Sequence, residues 1–311
     1  MVRLFRFLFI VFFIISCNNG ENTNINYKYS ECGIEDKSSI YTLNENYFKE
    51  KDTINLNVKI IYFHNLSKDT ITLDSFNNRI KTLSSHYKSA KIQFKLTGVK
   101  YIYGEPEEDS ISLESIKMFE KLVKEKRKDI RNKYYMEHYE FWNKVYYEQT
   151  NIMIYVYGDN DMGFGGIAGG IGSNFLAINS NYLSYDFHTL EHEMGHDLGL
   201  YHTHETDSTN GLNYYTGDLV CDTYTSDENL IDYLDNDCIL YKKINIPEEY
   251  LKVLTVNIMS YTKYDCRKEF TPVQIMRMRK VIETNADLRN SITGFNNFNK
   301  PLWKNLERVK E

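Results

Sequence analysis

The stretch HEMGHDLGLYHTH, from His192 to His204, constrains this chain more than any other, because it holds four of the eight histidines. His192 and His196 are four residues apart, so on a helix they share one face, about 6 Å apart along the axis. Gly199 can take the left-handed conformation that ends a helix sharply. The returning chain then offers His202 as a third ligand. The pattern predicts a helix that ends near Gly199 and a site with three imidazoles.

These residue types match the chemistry of a catalytic zinc ion. Three protein nitrogens leave the fourth position of a Zn²⁺ ion open to water, whereas a structural site usually fills all four. Glu193 lies one step around the helix from the ligands, where its carboxylate reaches a bound water rather than the metal. We therefore predict one catalytic Zn²⁺ with Glu193 as general base. The neighbouring His188 is interpreted as a surface histidine near the start of the helix. His204 either supports the ligands from behind or is simply exposed, and we favour the exposed position.

Three further stretches carry a resemblance to a known family. The pattern H-E-x-x-H-x-x-G-x-x-H resembles that of the metzincin metallopeptidases, and NIMSY at 257–261 resembles their methionine turn. GDLVCDT at 217–223 and CRKEFTPVQIMRMR at 266–279 resemble the pappalysin family among them. The resemblance covers roughly residues 54–290, and its specific motifs lie in the second half.

The resemblance implies roles for residues around the metal. His192, His196 and His202 would bind zinc, and Glu193 would act as general base and acid. Met259 would pack beneath the metal site as a hydrophobic base. Tyr261, two residues further on, would stabilise the oxyanion or ligate zinc in the resting enzyme, and its alternative interpretation is a core tyrosine.

The resemblance also implies two features of the lower half of the molecule. Cys238 and Cys266 would form a disulfide that braces it. The family uses calcium near the stretch that matches GDLVCDT, so Asp218, Asp222 and Thr223 are candidate oxygen ligands for Ca²⁺.

The sequence ECGIED around Cys32 resembles the Cys-Gly element of family pro-segments. There a thiolate occupies the open zinc position and keeps the enzyme latent, which is reasonable because thiolate is a strong zinc ligand. A disulfide between Cys32 and Cys221 is the alternative, and the cysteine count leaves both open.

The first residues indicate export. Arg3 and Arg6 give a positive start, and residues 7–15 form an apolar run that is too short to span a bilayer, so the segment is interpreted as a signal peptide. The following IISC resembles a bacterial lipobox, in which Cys17 is lipidated and anchors the protein to a membrane, facing the periplasm or the cell surface. An ordinary secretory signal with an incidental cysteine is the alternative.

The domain prediction has four segments. They are a signal peptide with lipobox at 1–17, a tether and short pro-segment at 18–50, a catalytic domain at 51–290 with a charged helical insertion at 107–149, and a C-terminal tail at 291–311.

The catalytic domain opens with an order that favours a sheet covered by helices. Apolar residues alternate from Ile54 to Tyr62, follow helical spacing from Phe76 to Tyr87 with Asp74 as N-cap, and alternate again at 92–96. Strand, helix and strand in this order indicate helices packed on a sheet. The resemblance implies a metzincin-like α/β (α+β) fold with a mixed twisted sheet and two long helices in an upper subdomain. The second helix would carry the zinc ligands, and an irregular lower subdomain would end in a helix.

Two local patterns add detail. The buried strand predicted at 151–158 precedes a glycine-rich stretch at 163–172, which we interpret as an edge or turn where another backbone approaches closely. Thr271, Pro272 and Gln274 give the last helix its cap, first turn and capping-box partner.

The conclusion from the sequence is a secreted or surface-anchored zinc-dependent endopeptidase that acts on protein or peptide substrates. The net charge of −6 argues against a nucleic-acid partner, and we expect a monomer. One alternative is a surface lipoprotein that binds a ligand or partner and holds a structural metal. Glu193 argues against it, since a structural site needs no base. A hydrolase acting on something other than peptides is the third interpretation.

Overall fold

The protein, described by a computed structural model, is built around a five-stranded mixed sheet. The structure describes residues 52–64, 71–103, 146–158, 165–184, 187–205, 218–220, 222–224, 230–241, 244 and 246–295. Predictions that fall outside these residues concern the signal peptide, the pro-segment, most of the helical insertion, most of the C-terminal tail, Cys17, Cys32 and Cys221.

The sheet has four parallel strands and one antiparallel edge strand. The strands are β1 (Ile54–His64), β2 (Ile92–Tyr103), β3 (Ile152–Tyr157), β4 (Gly166–Ala168) and β5 (Phe175–Asn179). Their order is β2-β1-β3-β5-β4, with β4 antiparallel to β5. The predicted mixed sheet is confirmed, and the described part of the glycine-rich stretch, from residue 165 onward, includes its edge strand.

Five α-helices accompany the sheet in the described part of the chain. They are α1 (Leu73–His86), α2 (Thr189–Asp197), α3 (Glu248–Val256), α4 (Pro272–Thr284) and α5 (Ala286–Asn290). Helix α1 joins the parallel strands β1 and β2, so the predicted order strand, helix, strand is confirmed. No helix in the described ranges has both the length and the apolar character that crossing a membrane requires.

The N-cap of α1 differs from the prediction. Thr72, not Asp74, is the cap: its backbone is extended and its side chain accepts a hydrogen bond from the amide of Ser75. Asp74 lies in the first turn, where its charge interacts favourably with the helix dipole. Both residue types favour helix starts, and the sequence alone did not distinguish between the two positions.

The strands β1 and β3 differ in how much of their length is buried in the core. All six residues of β3 are buried, which is typical of a central parallel strand covered on both faces. In β1 the alternation gives way to continuous burial from Ile60 to Phe63. One cluster of the core lies on the β1, β3 and β5 strands and consists of Ile61, Phe63, Met153, Tyr155, Tyr157 and Ala177.

Helix α2 is shorter than expected, with nine residues. His188, with φ of 49°, precedes it, and a sharp turn at Gly199 follows it. All nine residues are buried, because the helix packs against β4, β5 and α1. The helix therefore begins after the left-handed residue His188 and ends at the turn predicted at Gly199.

The lower part of the molecule is irregular before α3 and α4, and its predicted braces are present. The side chain of Thr271 accepts from the amide of Gln274, and the Gln274 side chain accepts from the amide of Thr271, which confirms the capping box. Cys238 and Cys266 form the disulfide, with 5.6 Å between their Cα atoms. Just past residue 290, the predicted end of the catalytic domain, the carbonyl of Ser291 accepts a hydrogen bond from the amide of Asn57 in β1.

Candidate metal centre

The end of helix α2 brings the third histidine to the first two. The Leu200 amide donates to the Gly195 carbonyl at 2.9 Å and the Gly199 amide to the His196 carbonyl at 2.8 Å, which together form a Schellman motif. Gly199 has a φ of 98°, and a Cβ there would lie 2.6 Å from a methyl carbon of Val281. Both the conformation and the close approach require glycine at this position.

The three imidazoles converge through their Nε2 atoms. Nε2 of His202 lies 3.0 Å from Nε2 of His196 and 3.1 Å from that of His192. Tetrahedral zinc with nitrogens at about 2.0–2.1 Å separates its ligand atoms by about 3.3 Å, so the three positions fit one Zn²⁺ ion.

Backbone carbonyls fix the tautomers of two of these ligands. Nδ1 of His192 donates to the carbonyl of Ile258 and Nδ1 of His196 to that of Leu200, both at 2.8 Å. A carbonyl only accepts, so the ring proton is on Nδ1 and the Nε2 lone pair is free for a metal. The donor set therefore fits zinc in its chemistry as well as in its spacing.

Burial keeps the three ligands neutral. Desolvation lowers the pKa of His192 well below its usual value and also lowers the pKa of His196. Desolvation, followed by the neighbouring His196, lowers the pKa of His202 to about 3. A neutral imidazole is the form that binds a metal.

Glu193 lies between helix α2 and the edge strand β4. Its carboxylate accepts a hydrogen bond from the amide of Ala168, and a Cβ at Gly166 would lie 2.8 Å from its Cγ. Burial raises the pKa of Glu193 to about 8, although the Ala168 amide and the charge of Arg267 act in the opposite direction. A divalent cation beside it would also favour the charged form.

Met259 lies directly under the helix that carries the ligands. Its side chain is fully buried, and a Cβ at Gly195 would lie 2.5 Å from its Sδ. Its amide donates to the side chain of Asn257 at 2.9 Å, and its carbonyl accepts from Thr203 at 3.2 Å. The structure thus brings the predicted methionine turn beneath the three histidines.

Tyr261 lies beside the histidines and is not a core residue. Its ring is 36% exposed, with its centroid 4.7 Å from that of His202 and 5.9 Å from that of His192. His204 is half-buried rather than exposed as predicted, because its ring stacks on His202 at 4.7 Å and lies 4.5 Å from Tyr261. The hydroxyl-bearing ring is therefore at the edge of the site.

A second group of potential ligands lies at the other end of the helix. His188 is half-buried, and one ligand atom each from His86, His188 and Glu191 lie within 4.8 Å of one another. Both oxygens of Glu191 already accept from the guanidinium of Arg79, at 2.7 and 2.6 Å. This group therefore differs from the three histidines, whose lone pairs are free.

The candidate calcium ligands take part in hydrogen bonds. The carboxylate of Asp222 accepts from the Thr271 hydroxyl at 2.7 Å and from the Val273 amide at 2.8 Å, at the N-terminus of α4. The carboxylate of Asp218 accepts from the Thr223 hydroxyl. Among the residues that the structure describes, neither aspartate belongs to a group of three potential metal ligands. Calcium binding stays a prediction.

Sequence reasoning missed two buried arginines. Arg79 of α1 forms the bidentate pair with Glu191 of α2, and the Tyr87 hydroxyl donates to the Glu191 carbonyl at 2.8 Å. Arg267 lies 9% exposed, with its guanidinium over the ring of Tyr264 at 5.0 Å. The Arg79 pair joins residues 112 positions apart, so no local pattern could have shown it.

Two of the solved structures that match this chain are distant likenesses. A promirolysin mutant from Tannerella forsythia is 18% identical with a TM-score of 0.49, over 82% of this chain and 91% of that one. A chaperone–substrate complex is 15% identical with a TM-score of 0.30, over 53% of this chain and 25% of that one. No curated protein matches the chain.

The family comparison is decisive where these structures are not. The model of the family Peptidase_M43, described as pregnancy-associated plasma protein-A, matches residues 127–283, which is half of the chain and includes the three histidines, Glu193 and Met259. The resemblance to the pappalysin family is thereby confirmed, and the fit of the three histidines to zinc agrees with it. The chain belongs to the Peptidase_M43 family of metallopeptidases.

Proposed function

We propose that the protein is a zinc-dependent endopeptidase in which Glu193 is the general base. The observation that carries this proposal is that Glu193, next to His192 on α2, holds its buried carboxyl group against the sheet edge, while three imidazole nitrogens converge at the end of the same helix. A structural metal needs no buried carboxyl group beside an open coordination position.

The edge strand β4 provides a place for the substrate backbone. On one side β4 pairs with β5, and no other described strand pairs with it on the other side. An extended peptide can add to such an edge as a further strand. Because Gly166 and Ala168 of this strand contact Glu193, a peptide bound there passes the general base. An open edge lets the chain continue in both directions, which favours an endopeptidase.

The residues around the metal have distinct tasks. The three histidines would hold a zinc ion, which would supply an acidified water molecule and polarise the scissile carbonyl. Glu193 accepts the proton of the attacking water and passes it to the leaving amine. The hydroxyl of Tyr261 donates to the developing oxyanion, an interaction worth about 3 kcal/mol when well placed.

Export and anchoring belong to the same proposal. The signal peptide and the IISC sequence ending at Cys17 support a protein that is secreted or held on a membrane by a lipid. The pro-segment thiol of Cys32 and calcium at Asp218, Asp222 and Thr223 are further proposals, supported by sequence patterns alone.

The test of the activity is the variant Glu193→Gln, which keeps the shape of the side chain and removes its basicity. We expect it to retain about one zinc ion per chain and to lose about 10²- to 10⁴-fold in the rate of casein cleavage. Zinc content and cleavage are measured on the same preparation.

The matched control is Glu283→Gln, an exposed carboxylate on α4, which should keep the wild-type rate. Cleavage by Glu193→Gln at the wild-type rate would show that the activity comes from elsewhere. A wild-type protein that binds zinc but cleaves no protein or peptide would favour the ligand-binding lipoprotein instead.

A further inference from the structure

Among the residues that the structure describes, Arg267 is a buried cation without a polar partner. Its side chain is 9% exposed, and its Nε is buried without a hydrogen bond. Its guanidinium makes no hydrogen bond or ion pair with any residue that the structure describes, and its contact there is the ring of Tyr264. Removing a charge from water without pairing it is costly, so an unpaired buried guanidinium calls for an explanation.

The other two arginines that are equally buried show how this protein normally satisfies such a group. Arg79 and Arg279 are both 7% exposed. Arg79 binds the two oxygens of Glu191. Arg279 donates to the carbonyls of Ala90 and Asp52 at 2.8 and 3.0 Å. Arg267 differs from both because its fork of N–H groups has no acceptor in the described chain.

The position of Arg267 follows from an aromatic cluster formed by Tyr182, Phe187 and Tyr264. The Tyr264 ring, under Arg267, lies 5.2 Å from that of Phe187 and 6.5 Å from that of Tyr182. At its other end the cluster reaches the start of the edge strand, where a Cβ at Gly165 would lie 3.1 Å from the Tyr182 ring. The next residue along that strand contacts Glu193. Arg267 and the general base are thus connected by one aromatic wall.

The charge of Arg267 affects the pKa values of groups at the candidate metal centre. It partly opposes the burial that raises the pKa of Glu193. It also adds to the desolvation that lowers the pKa of His192 and of His202. In turn, the groups whose charges act on Arg267 are Tyr264, Tyr261 and Glu193. Glu193 is the one carboxyl group among these three, and it is already used as the base.

We propose that Arg267 binds a carboxylate of the substrate beside the scissile bond, so that the enzyme selects acidic residues there. Arginine suits this task because its planar fork matches both oxygens of a carboxylate. A bound carboxylate would pair the buried charge for which the described part of the chain provides no acceptor. The inference rests on the proposed endopeptidase function. An acidic side chain and a C-terminal carboxylate share this chemistry, and the experiment separates them.

The experiment begins with the wild-type enzyme and peptide libraries in which each position carries every residue type, with free or amidated C-termini. Mass spectrometry of the products should show Asp and Glu enriched at one position next to the cleaved bond, equally for both kinds of C-terminus. For a matched pair of peptides with Glu or Gln at that position, kcat/KM should favour Glu by about 10- to 100-fold.

Three variants then assign the preference. In Arg267→Met the ratio of kcat/KM for the Glu and Gln peptides should fall to about one. In Arg267→Glu the peptide with Lys at that position should be cleaved with a higher kcat/KM than the peptide with Glu. The matched control Arg289→Met removes an arginine of the short helix α5 and should keep the wild-type ratio. Zinc content and circular dichroism show whether each variant is folded.

The outcomes are distinct. Cleavage without an acidic preference, or an unchanged ratio in Arg267→Met, overturns this inference and leaves the endopeptidase standing. Cleavage restricted to free C-termini retains the carboxylate site but assigns it to the chain end. If no library is cleaved, both proposals fall. If the Arg267 variants do not fold, the Glu-to-Gln ratio of the wild-type enzyme decides.

Discussion

Two buried arginines near helix α2 have opposite surroundings. Arg79 meets both oxygens of Glu191 and also donates to the carbonyl of Leu183, so its charge is matched inside the protein. Arg267 is almost as buried and meets an aromatic ring but no carboxylate in the described chain. The difference teaches that a buried charge stabilises the fold only where the fold provides the partner. Where it does not, the charge is available to a ligand.

The largest effect on stability is expected at the ion pair of Arg79 and Glu191. Arg79→Met leaves the carboxylate of Glu191 buried without its cation, and breaking a buried pair in this way costs about 3–5 kcal/mol. Urea denaturation of the zinc-loaded protein measures the loss. In Arg79→Met/Glu191→Met, where both charges are removed, much of the loss should be recovered. A single-variant loss below about 1 kcal/mol would mean that the pair does not hold α2 to α1.

An intermediate effect is expected at the ligands, in acid. Because burial holds the pKa of His202 near 3 and lowers the pKa of His192 and His196, protons compete poorly with zinc. We expect zinc to be retained to at least about one pH unit below the usual histidine pKa of about 6.5, equivalent to about 1.4 kcal/mol. Dialysis at a series of pH values followed by metal analysis gives the midpoint, and a midpoint at or above 6.5 would contradict the prediction.

The same pKa shifts determine whether the metal-free protein gains or loses stability as the pH falls. Below pH of about 6.5 the unfolded chain takes up protons at these histidines while the folded chain does not. The free energy of unfolding contributed by His202 therefore falls as the pH drops from about 6.5 towards about 3.

The smallest effect on stability is expected at Arg267, which has no acceptor among the described residues. Arg267→Met removes an uncompensated charge, which is favourable, and a cation–π contact worth about 0.5–1 kcal/mol, which is not. We expect the free energy of unfolding to change by less than about 1 kcal/mol, while Arg79→Met loses several. Urea denaturation of the two variants side by side makes this comparison. A loss as large as that of Arg79→Met would show that Arg267 has a structural partner.

Local patterns in the sequence predicted local structure well. The turn at Gly199 depends on a few neighbouring residues, and so does the capping box of Thr271 and Gln274. Each was therefore visible as a spacing. The sequence failed where two local solutions were equally good, as with the caps Thr72 and Asp74. It also failed for the length of α2, which begins only after the left-handed residue His188.

By itself, the sequence predicted that His192, His196 and His202 come together as candidate zinc ligands, since their convergence depends on one helix and one turn. Only the tertiary structure decided which buried charges are paired. Glu191 lies 112 residues from Arg79, and the aromatic wall beside Arg267 comes from two stretches of the chain far apart in sequence. The physical reason is that desolvation and pairing depend on what surrounds a group in space, and that is set by the packing of elements distant in the chain.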